Sequence, residues 1–184
     1  MTTALLIIDV QQGLFATEPP PAKAAIVINN INQLSNWARS QQYPVIFVMH
    51  EKADSVLAYQ STGWHLPAAI EQQPGDLISR KTTPDAFLRT DLQPLLQSLA
   101  VDQLIICGYA SEFCVDTTVR KAAALGYPVT LVADAHTTHD KAHASAATIS
   151  AHHNATLPAI SSFGVRIEAV ATTQLLGRSV GTLQ

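Results

Sequence analysis

Leu104-Ile105-Ile106-Cys107-Gly108-Tyr109-Ala110-Ser111-Glu112-Phe113-Cys114-Val115 opens a segment that runs on to Gly126-Tyr127-Pro128-Val129, and its reading decides the fold. The apolar run 104–107 reads as a buried strand, and the Ala-rich stretch 115–125 as a helix closed by Gly126. Proline cannot continue a helix, so Pro128 marks the entry to the next apolar run at Val129. Strand, helix and strand in succession form the unit from which parallel sheets are built.

Working outward, apolar runs recur at 5–9, 45–49, 76–79, 103–107, 129–133 and 165–170. Helix-length segments separate most of them. Ile26, Ile31, Leu34 and Trp37 mark one amphipathic helix, 92–99 a second, 115–125 a third and 142–151 a fourth, with a last short helix at 171–176 stopped by Gly177. The expected architecture is α/β: a doubly wound, mainly parallel, Rossmann-like sheet with helices on both faces. Pro19 to Pro21 shape the lead into the first helix, and 178–184 is expected to be loose or used at a subunit contact. The stretch 51–75 shows neither period and reads as a long loop covering a site.

A chain of 184 residues with 47% hydrophobic content supports one sizeable core, so 1–184 reads as a single domain. The net charge of −3 comes without a basic stripe, which argues against nucleic acid as a partner and for a small, roughly neutral substrate. No apolar run approaches the ~18 residues that span a bilayer. The N-terminus enters a core strand without a charged leader or cleavage site, and the expected location is cytoplasmic, with no membrane partner. Neither of the two cysteines lies in a C-x-x-C pair or a metal-finger spacing, which argues against a disulfide scaffold or a structural zinc site. Cys107 packs in its strand. No Gly-x-Gly-x-x-Gly follows the first strand, so a dinucleotide cofactor lacks its fingerprint.

Chemistry concentrates at strand ends. Cys114 falls at a strand-to-helix junction, where the positive end of the helix dipole favours thiolate over thiol. Asp9 ends the run 5–9 and Lys81 follows the run 76–79, each just past the carboxyl end of a strand, the edge where open parallel sheets bind ligands. Taken singly, a cysteine is a small core residue, a strand-end Asp a turn former and a Lys a solvated charge. Together they form a Cys-Asp-Lys constellation. His139 and His143 stand at helical spacing beside His152-His153, but without H-E-x-x-H they read as solvated or helix-capping residues. His50, directly after the second strand, reads as a residue of the pocket mouth or of the core. Phe15, Trp64, Phe87, Tyr109 and Phe113 lie near strand ends or in the long loop and are candidate pocket walls, with core packing as the competing reading.

Four segments in order, Ala4-Leu5-Leu6-Ile7-Ile8-Asp9-Val10-Gln11, Arg80-Lys81 with Ala86-Phe87, Gly108 to Cys114-Val115, and Gly126-Tyr127-Pro128-Val129 leading to Asp134-Ala135, resemble the isochorismatase-like cysteine hydrolases. That family includes nicotinamidases and N-carbamoylsarcosine amidases. The resemblance implies an Asp9-Lys81-Cys114 triad, a cis peptide at Tyr109-Ala110, an oxyanion hole from the Ala110 and Cys114 N–H groups, and a homo-oligomer, dimer or larger. It implies hydrolysis of a small amide or related C–N bond through a Cys114 thioester. Ser111 stands where many relatives have threonine, its hydroxyl supporting the turn. Nicotinamidases present Asp-x-His after the second strand to bind a metal, whereas this chain has Met49-His50-Glu51-Lys52, so no metal and no cofactor are expected. Isochorismatases proper, which cleave a vinyl ether, lack the nucleophilic cysteine. The alternatives are that vinyl-ether chemistry or a catalytically idle module of the same fold that binds a small molecule or serves assembly.

Overall fold

The computed structural model describes residues 2–178. Six parallel strands form one sheet: β1 (Thr3–Ile8), β2 (Val45–His50), β3 (Leu77–Lys81), β4 (Gln103–Tyr109), β5 (Val129–Thr137) and β6 (Ile167–Val170), in the order β3-β2-β1-β4-β5-β6. The chain winds outward from β1 to one edge, then returns to lay β4 on the other side of β1. The order therefore reverses between β1 and β4, which opens a crevice at their carboxyl ends. The expected doubly wound sheet is the one found.

Both faces of the sheet are covered, which is why its strands read as continuous apolar runs. Ala4, Leu6 and Ile8 of β1 face one core with the helices α3 (Leu92–Ser98) and α4 (Asp116–Ala124). Leu5 and Ile7 face the other, against α2 (Ala24–Ser40). Val27, Ile31, Leu34 and Ala38 form the buried stripe of α2, and Ile26, counted on that stripe from the sequence, is instead exposed. Two further helices differ from expectation. The one-turn α1 (Gln12–Phe15) carries no readable period, and α5 (Ala146–Thr156) begins four residues after the expected start at 142. Its start is fixed by contacts rather than propensity: Ser145 accepts from the Thr148 N–H, and Asp140 accepts from the Ala146 N–H.

Residues 51–76 form neither helix nor strand, and the segment is pinned onto α1. Gly13 donates its N–H to the Gly63 carbonyl at 2.8 Å. A Cβ on Gly63 would lie 2.2 Å from the Val56 carbonyl oxygen, so only glycine permits this approach. The last helix, α6 (Thr172–Leu176), is held by Asp134, whose carboxylate accepts from the Thr172 N–H and hydroxyl. Arg178, expected to be loose, forks onto Glu168, and the remainder of the expected loose tail lies outside the described residues.

Candidate active site

The crevice gathers one residue from each of four chain segments. Asp9 is the first residue beyond β1, where the backbone turns into the left-handed region at φ 52°. β4 passes so close that a Cβ on Gly108 would lie 2.1 Å from the Ile8 carbonyl oxygen, which makes glycine obligatory beside Asp9. Lys81 is the last residue of β3 rather than one that follows the strand, and it stands in register with His50, the last of β2. Cys114 sits inside a π-helical turn, Ser111–Val115, that leads into α4. Behind them Gln11, fully buried, ties three segments together. Its Nε2 donates to the carbonyls of His50 and Trp64, both at 2.9 Å, and its Oε1 accepts from the His50 N–H at 2.8 Å. Sequence reading quoted Gln11 only as part of a motif, because its work exists only once the loop has closed.

At the centre lies the Lys81 ammonium, on a side chain without solvent exposure. Four acceptors surround Nζ: Asp9 Oδ2 at 2.8 Å, His50 Nδ1 at 3.1 Å, the Thr83 carbonyl at 3.2 Å and Cys114 Sγ at 3.2 Å. A buried charge survives only when paired and hydrogen-bonded, and this cage meets both requirements. The second Asp9 oxygen, Oδ1, is buried and has no hydrogen-bond partner among the described residues. Donor atoms of Asp9, His50 and Cys114 lie within 4.8 Å of one another, a set with the chemistry to hold a metal ion, but the ammonium stands among them.

The expected thiolate is not the favoured resting state. Burial pushes the Cys114 thiol up to about 12; the Asp9 charge adds to the rise and the Lys81 charge only partly opposes it. Desolvation thus outweighs the cation. His50 moves the other way, lowered first by burial and then by Lys81, so its imidazole is neutral near pH 7.

The turn carrying Cys114 is anchored from behind. Asn154 Nδ2 donates to the Ala133 carbonyl, which orients Oδ1 to accept from His136 Nε2 at 2.9 Å. His136 Nδ1 must then accept, and Ser111 Oγ donates to it at 2.8 Å. Ser111 is fully buried, so this serine-histidine-asparagine chain is a brace rather than a second nucleophile. The Tyr109–Ala110 peptide is cis, and among the described residues the Ala110 N–H has no backbone acceptor.

The aromatic candidates divide. Phe15 meets Tyr109 edge-on at 5.8 Å, and Tyr109 is half-buried with its hydroxyl 2.9 Å from His139 Nδ1. Trp64 is buried with its Nε1 unpartnered. Phe87 is corrected to a core residue, its ring stacked on Tyr127 within the α3–α4 core. Phe113 points outward, 54% exposed, with Lys141 over its ring at 5.6 Å. His139 and His143 lie in the loop before α5, not on a helix, and His139 is neither solvated nor a cap because Thr17 and Tyr109 take both its nitrogens. Cys107 is buried in β4 with its thiol pushed far up by burial, and both cysteines are free thiols.

Comparison with known proteins follows the same lines. Residues 3–161 match the model of the Isochorismatase domain. A streptothricin hydrolase of Streptomyces noursei is 36% identical over 138 residues, 74% of this chain and 50% of that protein, so the chain spans about half the length of that relative. A ureidoacrylate amidohydrolase of Variovorax paradoxus is 30% identical over 57% of this chain and 41% of its own. A crystal structure described as an isochorismatase family protein superposes with a TM-score of 0.84 at 36% identity, covering 92% of this chain and 98% of that one.

Proposed function

The chain belongs to the isochorismatase family of hydrolases, and from that premise we propose that it is a metal-independent cysteine amidohydrolase acting on a small amide or related C–N bond. The observation that carries the reading is one buried ammonium, Lys81 Nζ, within hydrogen-bonding distance of both a carboxylate and a thiol at the switch point of the sheet. The amidohydrolase named among the relatives supports the bond type.

In this reading the unpartnered Oδ1 of Asp9 takes the Cys114 proton as Sγ attacks the substrate carbonyl. Proton transfer and attack are coupled, since the free thiolate is disfavoured at rest. Lys81 stabilises the charge passing between sulfur and carboxylate, and the Ala110 and Cys114 N–H groups receive the developing oxyanion, worth about 10²-fold or more per donor. Asp9 then protonates the leaving nitrogen. Water, activated by Asp9, hydrolyses the thioester to a carboxylic acid and restores the thiol.

The test is a panel of small amides and ureides followed by ammonia release and by mass spectrometry of rapidly quenched protein. An acyl adduct on Cys114 and loss of turnover in Cys114→Ala are expected. Turnover retained by Cys114→Ala would end the covalent mechanism.

A further inference from the structure

We infer that His50 is a substrate-orienting residue: a neutral imidazole, locked as its Nε2–H tautomer by Lys81, that donates to a second carbonyl oxygen carried on the leaving nitrogen of the scissile amide. The inference rests on the amidohydrolase reading for where substrate sits, and adds the substrate class, amides of the acylurea or imide kind.

An ammonium has protons to give and no lone pair to accept with, so the 3.1 Å contact between Lys81 Nζ and His50 Nδ1 has one possible sense. Nδ1 accepts, and the imidazole proton must lie on Nε2. The backbone on both sides of the ring is fixed as well: Gln11 holds the His50 N–H and carbonyl, and the neighbouring Glu51 N–H is bonded to the Lys81 carbonyl. Among the described residues nothing accepts from Nε2, and the residue is partly buried rather than sealed in the core. Lys81 Nζ lies 3.1 Å from His50 Nδ1 and 3.2 Å from Cys114 Sγ, so one ammonium joins the ring to the nucleophile and the free N–H belongs to the same strand-end crevice. A positioned, neutral, single donor of this kind recognises a carbonyl oxygen without demanding a charge. Protonating the ring instead would set a second cation against Lys81, with Lys52 also near and only Asp9 and Glu51 in opposition.

The experiment compares alkylation of Cys114 by chloroacetamide and by chloroacetylurea, which differ by one carbamoyl group. In each case the Cys114 S–C bond forms, the C–Cl bond breaks, chloride leaves and the thiol proton passes to Asp9 or water. The ratio of the two rates, read by mass spectrometry against the same ratio for free cysteine, cancels the thiol's own acidity. In the wild-type chain the ratio should exceed that of free cysteine about tenfold, the preference one well-placed hydrogen bond confers. Asparagine places its carbonyl near Nδ1 and has nothing at Nε2, whereas glutamine places an N–H near Nε2. His50→Asn should therefore bring the ratio down to that of free cysteine, whatever it does to the two rates together, and His50→Gln should retain most of the preference. A wild-type ratio equal to that of free cysteine overturns the inference even if either variant folds poorly. So does an unchanged ratio in His50→Asn, or its loss in His50→Gln with retention in His50→Asn. Failure of amide turnover alone would sink the amidohydrolase reading and leave these ratios standing.

Discussion

Lys81 has three protons and faces four acceptors, one of them the sulfur of Cys114, whose thiol is protonated at rest. That arrangement makes opposite predictions for the two partners of the thiol. The Asp9 charge raises the thiol, so Asp9→Asn should speed alkylation by iodoacetamide near neutral pH, by roughly tenfold for each unit the thiol falls, while abolishing turnover. Lys81→Met removes the neighbouring charge that lowers it and should slow both alkylation and kcat/KM more than any surface lysine change. It also strands a buried carboxylate, at a cost of about 3–5 kcal/mol readable by urea unfolding. Wild-type behaviour of Lys81→Met in both kinetic assays would dissolve the triad. In the unmodified chain, the alkylation rate should continue to climb above about pH 10, where a free cysteine has levelled off, towards about 12. At this scale Asp9 and Lys81 were legible because each stands at the end of an apolar run, and Cys114 because it falls at a strand-to-helix junction. The state of the thiol was not, since a helix dipole can be read from sequence order and desolvation cannot. Nor was the burial of the aromatic candidates: Phe15, Trp64 and Phe87 pack in the two cores and Phe113 is exposed, although all four carry the same signature of an aromatic near a strand end or in the long loop.

The π-helical turn is an element whose geometry is held by side chains outside it. Ser111→Ala would leave His136 Nδ1 buried without a donor, and should destabilise the chain by about 1–3 kcal/mol. Because the same turn aims Cys114, kcat should fall further than KM rises, and Ser111→Thr, which restores the hydroxyl, should recover both stability and kcat. Equal losses for the alanine and threonine variants would show that volume, not the hydrogen bond, matters at this position. Strands were the most legible elements, since burial on both faces leaves little but apolar residues to read. The start of α5 was not, because Ala142 to Ala151 offers helix formers on either side of the Ser145 cap, and α1 spans too few residues for any period.

For the molecule as a whole, acid should be the sensitive direction. Burial lowers His136 and His50, so the folded chain resists protons that the unfolded chain accepts. Stability conferred by keeping these rings neutral is complete above the unfolded value of about 6.5 and is lost as pH falls towards the lowered folded values. Urea midpoints at pH 7.5 and 5.5 should differ, and His136→Gln should narrow the gap; an unchanged gap would assign the acid sensitivity elsewhere. Exhaustive chelation should leave turnover intact, because the ammonium already stands among the donors of Asp9, His50 and Cys114; activity lost to chelator and restored by zinc would reverse that. The way the long loop is hung has a consequence for anyone recombining this scaffold with its relatives. Gly13 grips the Gly63 carbonyl, Gln11 the Trp64 carbonyl and Gln12 the His65 carbonyl, so the segment 51–76 is attached to the chassis at three consecutive main-chain carbonyls. A foreign loop can be transplanted provided it delivers a glycine and the two following carbonyls to those hooks and ends on a carboxylate for Arg39, as Asp76 does. A graft that ignores them would hang unanchored over the nucleophile.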